Sequence, residues 1–196
     1  EAGYYYDNAE YLAKNSEYTK AVNTLLEGIR KFPGSSLDLR LASLYLTGKD
    51  SVKAGIIYDR IINENPESDF IYELIANEYS KAGFEDLSIQ LYEKSLEKLP
   101  DDPEILNNYS YMLAVKGIEL EKALEMVERA LLLRQDSITF LDTRAWVLYR
   151  LGRIGEAEKI MDGIFSNEES FYHQSSEELF EHYTEIKKAL NKTGLL

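Results

Sequence analysis

Small residues recur along this chain at a spacing that leaves few folds open. Ala9, Ala42, Ala76, Ser110 and Ala145 lie 33, 34, 34 and 35 residues apart, and Ala21, Ala54, Ser88, Ala123 and Ala157 follow twelve or thirteen residues behind them. A period of that length marks a stack of repeated supersecondary units. Between the two series each unit carries a residue that tolerates a left-handed backbone, namely Asn15, Gly48, Gly83, Gly117 and Gly152. Each unit therefore reads as a helix, a tight turn and a second helix. Two antiparallel helices approach closely only where side chains are small, so the two series predict the crossing point of each pair.

Larger apolar residues fill the space around the crossings. Tyr5, Tyr72, Leu106 and Leu141 stand four residues before the first series, and Leu25, Tyr58, Tyr92, Val127 and Met161 four after the second, one turn away on the same face. Pro33, Pro66 and Pro100 stop the second helices of the first three units, with Gln135 in the corresponding place of the fourth. In unit two Asp38 takes the large apolar position, which predicts looser packing there and a point of flexure. Gly28 and Ser95 weaken the third small position of their units, and unit four holds one extra residue between Gly117 and Ala123.

In the third unit, Tyr72, Ile75, Ala76, Tyr79, Gly83, Ser88, Tyr92, Ser95 and Pro100 follow a known signature position by position, and the stretch from Asn107 to Ala157 does so again with Gly117, Leu120, Ala123, Ala130, Ala145, Trp146, Tyr149 and Gly152. These residues resemble the tetratricopeptide repeat family, and the second stretch is similar to repeats of bacterial tetratricopeptide proteins. The resemblance covers about residues 2–169 in five units, approximately 2–34, 35–68, 69–102, 103–137 and 138–169. It implies an all-α, right-handed superhelical solenoid of antiparallel helix pairs in a single domain over 1–196. A last amphipathic segment, about 176–192, reads as a C-terminal capping helix that starts at a Ser176 N-cap. Phe180, Tyr183 and Ile186 are expected to cover unit five, with Glu177, Glu178, Glu181 and Glu185 facing water.

Charge and composition narrow the function. With 22 Lys and Arg against 35 Asp and Glu the net charge is −13, which repels phosphate backbones and anionic lipid, so no nucleic-acid partner is expected. No apolar run approaches the roughly 18 residues a membrane span needs. Absence of cysteine removes thiolate nucleophiles, disulfides and cysteine-ligated zinc. The chain opens at Glu1 with no basic leader, which leaves any targeting segment outside these residues. Compartment stays open, and the resemblance to bacterial repeat proteins, many of them exported or lipid-anchored, leans toward the bacterial cell envelope.

No catalytic or phosphate-binding motif is present, so no enzyme activity, cofactor or metal is expected. Glu178, His182 and Glu185 fall at i, i+4 and i+7, a spacing that could present three ligands along one helix face. A solvated acidic helix with one histidine is the plainer reading. His173 sits in a loop and says less. Tyr5, Tyr45, Tyr58, Tyr72, Tyr79, Tyr92 and Tyr109 occupy packing positions.

In the resembled family the first helices line a concave groove. The register places Tyr6, Glu10, Ala13, Leu39, Ser43, Leu46, Glu73, Asn77 and Ser80 on that face in the first three units. Asn107, Asn108, Tyr111 and Ala114 follow, then Asp142, Trp146, Tyr149 and Arg150. Amides can donate to and accept from an extended peptide backbone, and aromatic faces offer large contact area. Asn77, Asn107, Asn108, Tyr111, Asp142, Trp146, Tyr149 and Arg150 are therefore the candidate peptide-binding residues of a non-catalytic protein-interaction scaffold whose partner has a basic face. Family members that clamp a terminal carboxylate use paired asparagines and several cations. Asn77 and Asn108 match the asparagines, but Glu73, Thr139 and Thr143 stand where cations belong, which disfavours that ligand. The alternative is a structural, self-associating module, with Tyr4, Tyr5 and Tyr6 at the N-terminal end stacking on another copy or on upstream repeats.

Overall fold

A computed structural model describes residues 2–34, 36–65, 68, 70–166 and 176–193, and among these all regular structure is helical. The helices alternate as α1 (Ala2–Lys14) and α2 (Tyr18–Lys31), α3 (Ser36–Thr47) and α4 (Ser51–Glu64), α5 (Phe70–Ala82) and α6 (Glu85–Lys98), α7 (Pro103–Lys116) and α8 (Leu120–Leu133), and α9 (Ile138–Arg150) and α10 (Ile154–Ser166). A final helix, α11, spans Glu177–Thr193. The chain divides into two compact units, residues 1–95 and 96–196.

All ten residues of the two small series are 0–1% exposed, so they do mark the crossings. Where serine replaces alanine, its hydroxyl bridges the pair: Ser88 Oγ donates to the Ala76 carbonyl at 2.9 Å and Ser110 Oγ to the Ala123 carbonyl at 2.7 Å. A buried hydroxyl is thereby satisfied without widening the crossing.

Every turn uses a left-handed residue seven positions after the first small residue: Ser16, Lys49, Gly83, Gly117 and Gly152, at φ between 61° and 79°. In the first two pairs this is one residue later than Asn15 and Gly48, the positions the sequence suggests. Gly48 is glycine for a steric reason instead, since a Cβ there would lie 2.5 Å from the Tyr18 hydroxyl. The next amide then donates back across the helix end, from Glu17 to Leu12, Asp50 to Tyr45, Phe84 to Tyr79, Ile118 to Leu113 and Arg153 to Leu148, at 2.8–3.1 Å. That bond satisfies a carbonyl the helix leaves open and fixes the reversal. The extra residue of the fourth pair is absorbed by a second left-handed residue, Glu119 at φ 46°.

Side chains start several helices. Asp50 accepts from the Lys53 amide, Asp102 from Glu104 and Ile105, Ser137 from Phe140 and Ser176 from Leu179. Pro66 lies outside the described residues.

In the first unit Asp38 is 4% exposed, and Arg60 Nη2 lies 2.6 Å from its carboxylate. The looser packing expected of unit two is not seen, because Leu37, Leu41, Ala42, Leu44 and Leu46 of α3 are all buried alongside this ion pair. Nor does Gly28 weaken its site: a Cβ there would come within 2.7 Å of Tyr5 Cβ and 2.8 Å of Leu37 Cδ1, so only glycine admits this approach. In the second unit Ala145, Leu148, Ala157, Met161 and Ile164 form a core that continues into Leu179 and Ile186 of α11.

Candidate protein-binding face

Helix α11 buries Leu179, His182, Ile186 and Leu190, a stripe with steps of three and four residues. The expected stripe of Phe180, Tyr183 and Ile186 is thus rotated. Ile186 is fully buried and Tyr183 stacks on Phe165 with ring centroids 4.2 Å apart, while Phe180, in edge contact with Phe165, stays 45% exposed.

The consequence falls on His182, which sequence alone places on a solvated face. It is 5% exposed. Its Nδ1 lies 3.0 and 3.1 Å from the two Asp142 carboxylate oxygens, and its Nε2 lies 3.5 Å from the Tyr111 hydroxyl. The ring stacks on Trp146, 4.1 Å between centroids and 19° from parallel. Tyr111 in turn donates to Glu178. Burial, then that bond and the charge of Glu178, push the Tyr111 pKa up, so the phenol remains a neutral donor. Trp146 also contacts the Tyr149 ring at 5.1 Å, while its buried indole N–H has no hydrogen-bond partner. Beside this cluster α7, α9 and α11 border an open cleft of about 570 Å³.

In the first unit the corresponding helices α1, α3 and α5 border a smaller cleft of about 310 Å³, lined by Tyr6, Leu39, Ser43 and Leu74 among others. Arg40 on its wall pairs with Glu10 at 2.5 Å.

No family model matches the chain, and no curated protein matches it in sequence. Solved structures do match it in three dimensions. A tetratricopeptide repeat protein from Parabacteroides merdae superposes with a TM-score of 0.68 at 16% identity, over 98% of this chain and 75% of that one. MamA of strain AMB-1 matches with a TM-score of 0.57 at 20% identity, over 85% of this chain and 98% of that one. MamA from Desulfovibrio magneticus RS-1 gives 0.58 at 16%, over 89% and 97%. This chain has a tetratricopeptide-repeat fold. At such identities the likeness speaks for the fold alone.

On this tetratricopeptide-repeat scaffold the candidate residues take different parts. Tyr111, Asp142 and Trp146 converge on His182, and Tyr149 packs beside Trp146. Asn108 is half-buried on α7. Asn107 is 2% exposed and its Nδ2 donates to Asn108 Oδ1 at 3.4 Å, so it packs rather than presents. Arg150 Nη1 donates to the Val115 carbonyl at 2.9 Å, covering the open C-terminal end of α7. Asn77 belongs to the first unit, where it accepts from the Tyr92 hydroxyl and donates to Glu73 at 3.3 Å. Among the described residues no His, Asp and Glu group is arranged to hold a metal ion, and His173 lies outside them. No described helix is long and apolar enough to cross a membrane.

Sequence reasoning missed His182 because its own neighbours, Glu178, Glu181 and Glu185, are acidic. The signal that could have found it is the Leu179, Ile186, Leu190 register, into which His182 fits one turn before Ile186.

Proposed function

We propose that the chain is a non-catalytic scaffold that binds a protein or peptide segment on the first-helix face of its second unit. The observation that carries this reading is a preformed cleft whose walls hold Tyr111 and Trp146 on helices fixed by the buried His182 cluster. A rigid face loses little entropy on binding, and aromatic side chains carry large contact area at low ordering cost. Tyr111, Trp146, Tyr149 and Asn108 make the contacts, while Asn107, Asp142 and Arg150 brace them. Asn77 offers a separate contact on the first unit. Capture of partners from native lysate by the wild-type chain and by Tyr111→Ala and Trp146→Ala variants tests the reading. Both variants, verified as folded, lose the captured protein; unchanged retention by both overturns it.

A second reading, self-association through the N-terminal helix, is favoured by Tyr4 and Tyr11, which are 66% and 65% exposed on α1. Light scattering of the wild type and of Tyr4→Ser/Tyr11→Ser checks it: a concentration-dependent mass that the double variant abolishes supports it, and a monomer mass throughout removes it.

A further inference from the structure

The cleft of the second unit has a chemical character beyond its aromatic wall. Along α11, Glu177, Glu181 and Glu185 line it at successive turns, and all three are exposed. Glu178 lines it as well, against a single lysine, Lys188. Opposite charges are thus outnumbered four to one within one groove. The same cleft is lined by two large apolar side chains, Val115 of α7 and Phe180 of α11, still 42% and 45% exposed. A carboxylate row beside exposed apolar surface suits a ligand with both characters.

Spacing sharpens this. Residues four apart on a helix rise by about 6 Å, and alternate residues of an extended chain lie about 6.5–7 Å apart. An extended segment laid along α11 therefore presents every second side chain to Glu177, Glu181 and Glu185 in turn, and turns its remaining side chains away from that row. One small cation would not suit the row as a whole, because Glu177 and Glu185 stand two turns, about 12 Å of helix rise, apart and none of these side chains belongs to a metal-binding arrangement among the described residues. Acidic ligands are repelled both locally and by the net charge of −13.

We propose that this cleft takes an extended peptide segment with lysine or arginine at alternate positions, its cations on the α11 carboxylate row and an intervening apolar side chain between Val115 and Phe180. This rests on the scaffold reading and names the class of its ligand.

The probe is a fluorescein-labelled nine-residue peptide alternating lysine and leucine, read by anisotropy and by the emission of Trp146, the chain's single tryptophan and part of the cleft wall. Its comparison peptides carry glutamate for lysine, or serine for leucine. Expected is saturable binding of the lysine–leucine peptide with a change in Trp146 emission, at least tenfold weaker binding of both comparison peptides, and at least fivefold loss in Glu181→Gln/Glu185→Gln. The control Glu121→Gln/Glu125→Gln, which removes the same charge from exposed positions of α8, keeps affinity within twofold. The inference is overturned if both double variants lose affinity equally, if serine replaces leucine without loss, or if no peptide binds. If captured partners are lost on Trp146→Ala but retained by Glu181→Gln/Glu185→Gln, the scaffold reading stands and the basic-ligand inference falls.

Discussion

The two units satisfy the polar groups of their first helices in different ways. In the first, carboxylates meet arginines of the repeats themselves: Glu10 of α1 pairs with Arg40 of α3, and Asp38 of α3 with Arg60 of α4. In the second, the arginines of α9 are engaged elsewhere, Arg144 with Glu128 and Arg150 with the Val115 carbonyl. Asp142 is met instead by His182, from a helix outside the repeat pattern. A face built only from repeats finds its partners within the repeats. One completed by a terminal helix acquires a cluster that the repeat register does not contain.

The largest expected effect tests whether α11 is part of the second unit. Ile186 is fully buried, so Ile186→Ala should cost about 2–5 kcal/mol in urea unfolding followed by Trp146 emission. A loss below about 0.5 kcal/mol would mean that α11 does not pack there.

The next contrast concerns the two carboxylates. Asp142→Ala leaves a histidine whose side chain is only 6% exposed without its partner and should cost about 1–3 kcal/mol. Asp38→Ala releases an arginine whose side chain is already 45% exposed and free to turn to water, so about 1 kcal/mol or less is expected. Equal losses in paired denaturation curves would erase the difference between the units.

Alkaline pH offers a third test. Burial pushes the hydroxyl pKa of Tyr58, Tyr79 and Tyr92 in the first unit, and of Tyr111 in the second, above the ordinary 10.0. Below that value each is protonated both folded and unfolded, and stability is independent of it. Above it the unfolded chain releases protons that the folded chain retains, so stability falls as pH rises, by at most about 1.4 kcal/mol per pH unit for each such tyrosine. Unfolding curves between pH 9 and 11.5 should steepen accordingly, and Tyr111→Phe should remove one tyrosine's share of that slope.

The smallest effects separate two buried phenols of the first unit. Tyr92 donates to Asn77, so Tyr92→Phe should cost about 0.5–1.5 kcal/mol. The Tyr58 hydroxyl is buried without a partner, so Tyr58→Phe should be neutral or mildly stabilising in the same assay. A matching loss at both positions would show that Tyr58 has a partner after all.

Much of the repeat was legible because its causes are local. A helix crossing needs small residues and a helix end needs a left-handed residue, and both leave marks at regular spacing. In the second pair the turn position was off by one because Gly48 answers to Tyr18, a side chain from another helix pair. Asp38 looked like a defect for a similar reason, since Arg60 lies 22 residues away in sequence.

From the sequence alone came the helix pairs, their crossing residues, the absence of known catalytic motifs and the acidic character, all set by spacing and composition. Tertiary structure decided which side of α11 turns inward. That choice depends on the burial of Leu179 and Ile186 in one core with residues of α9 and α10, and it carried His182 onto Trp146 and Asp142. A helix with apolar residues on two adjacent stripes has no intrinsic preference between them, so the face it buries is chosen by the surface it meets.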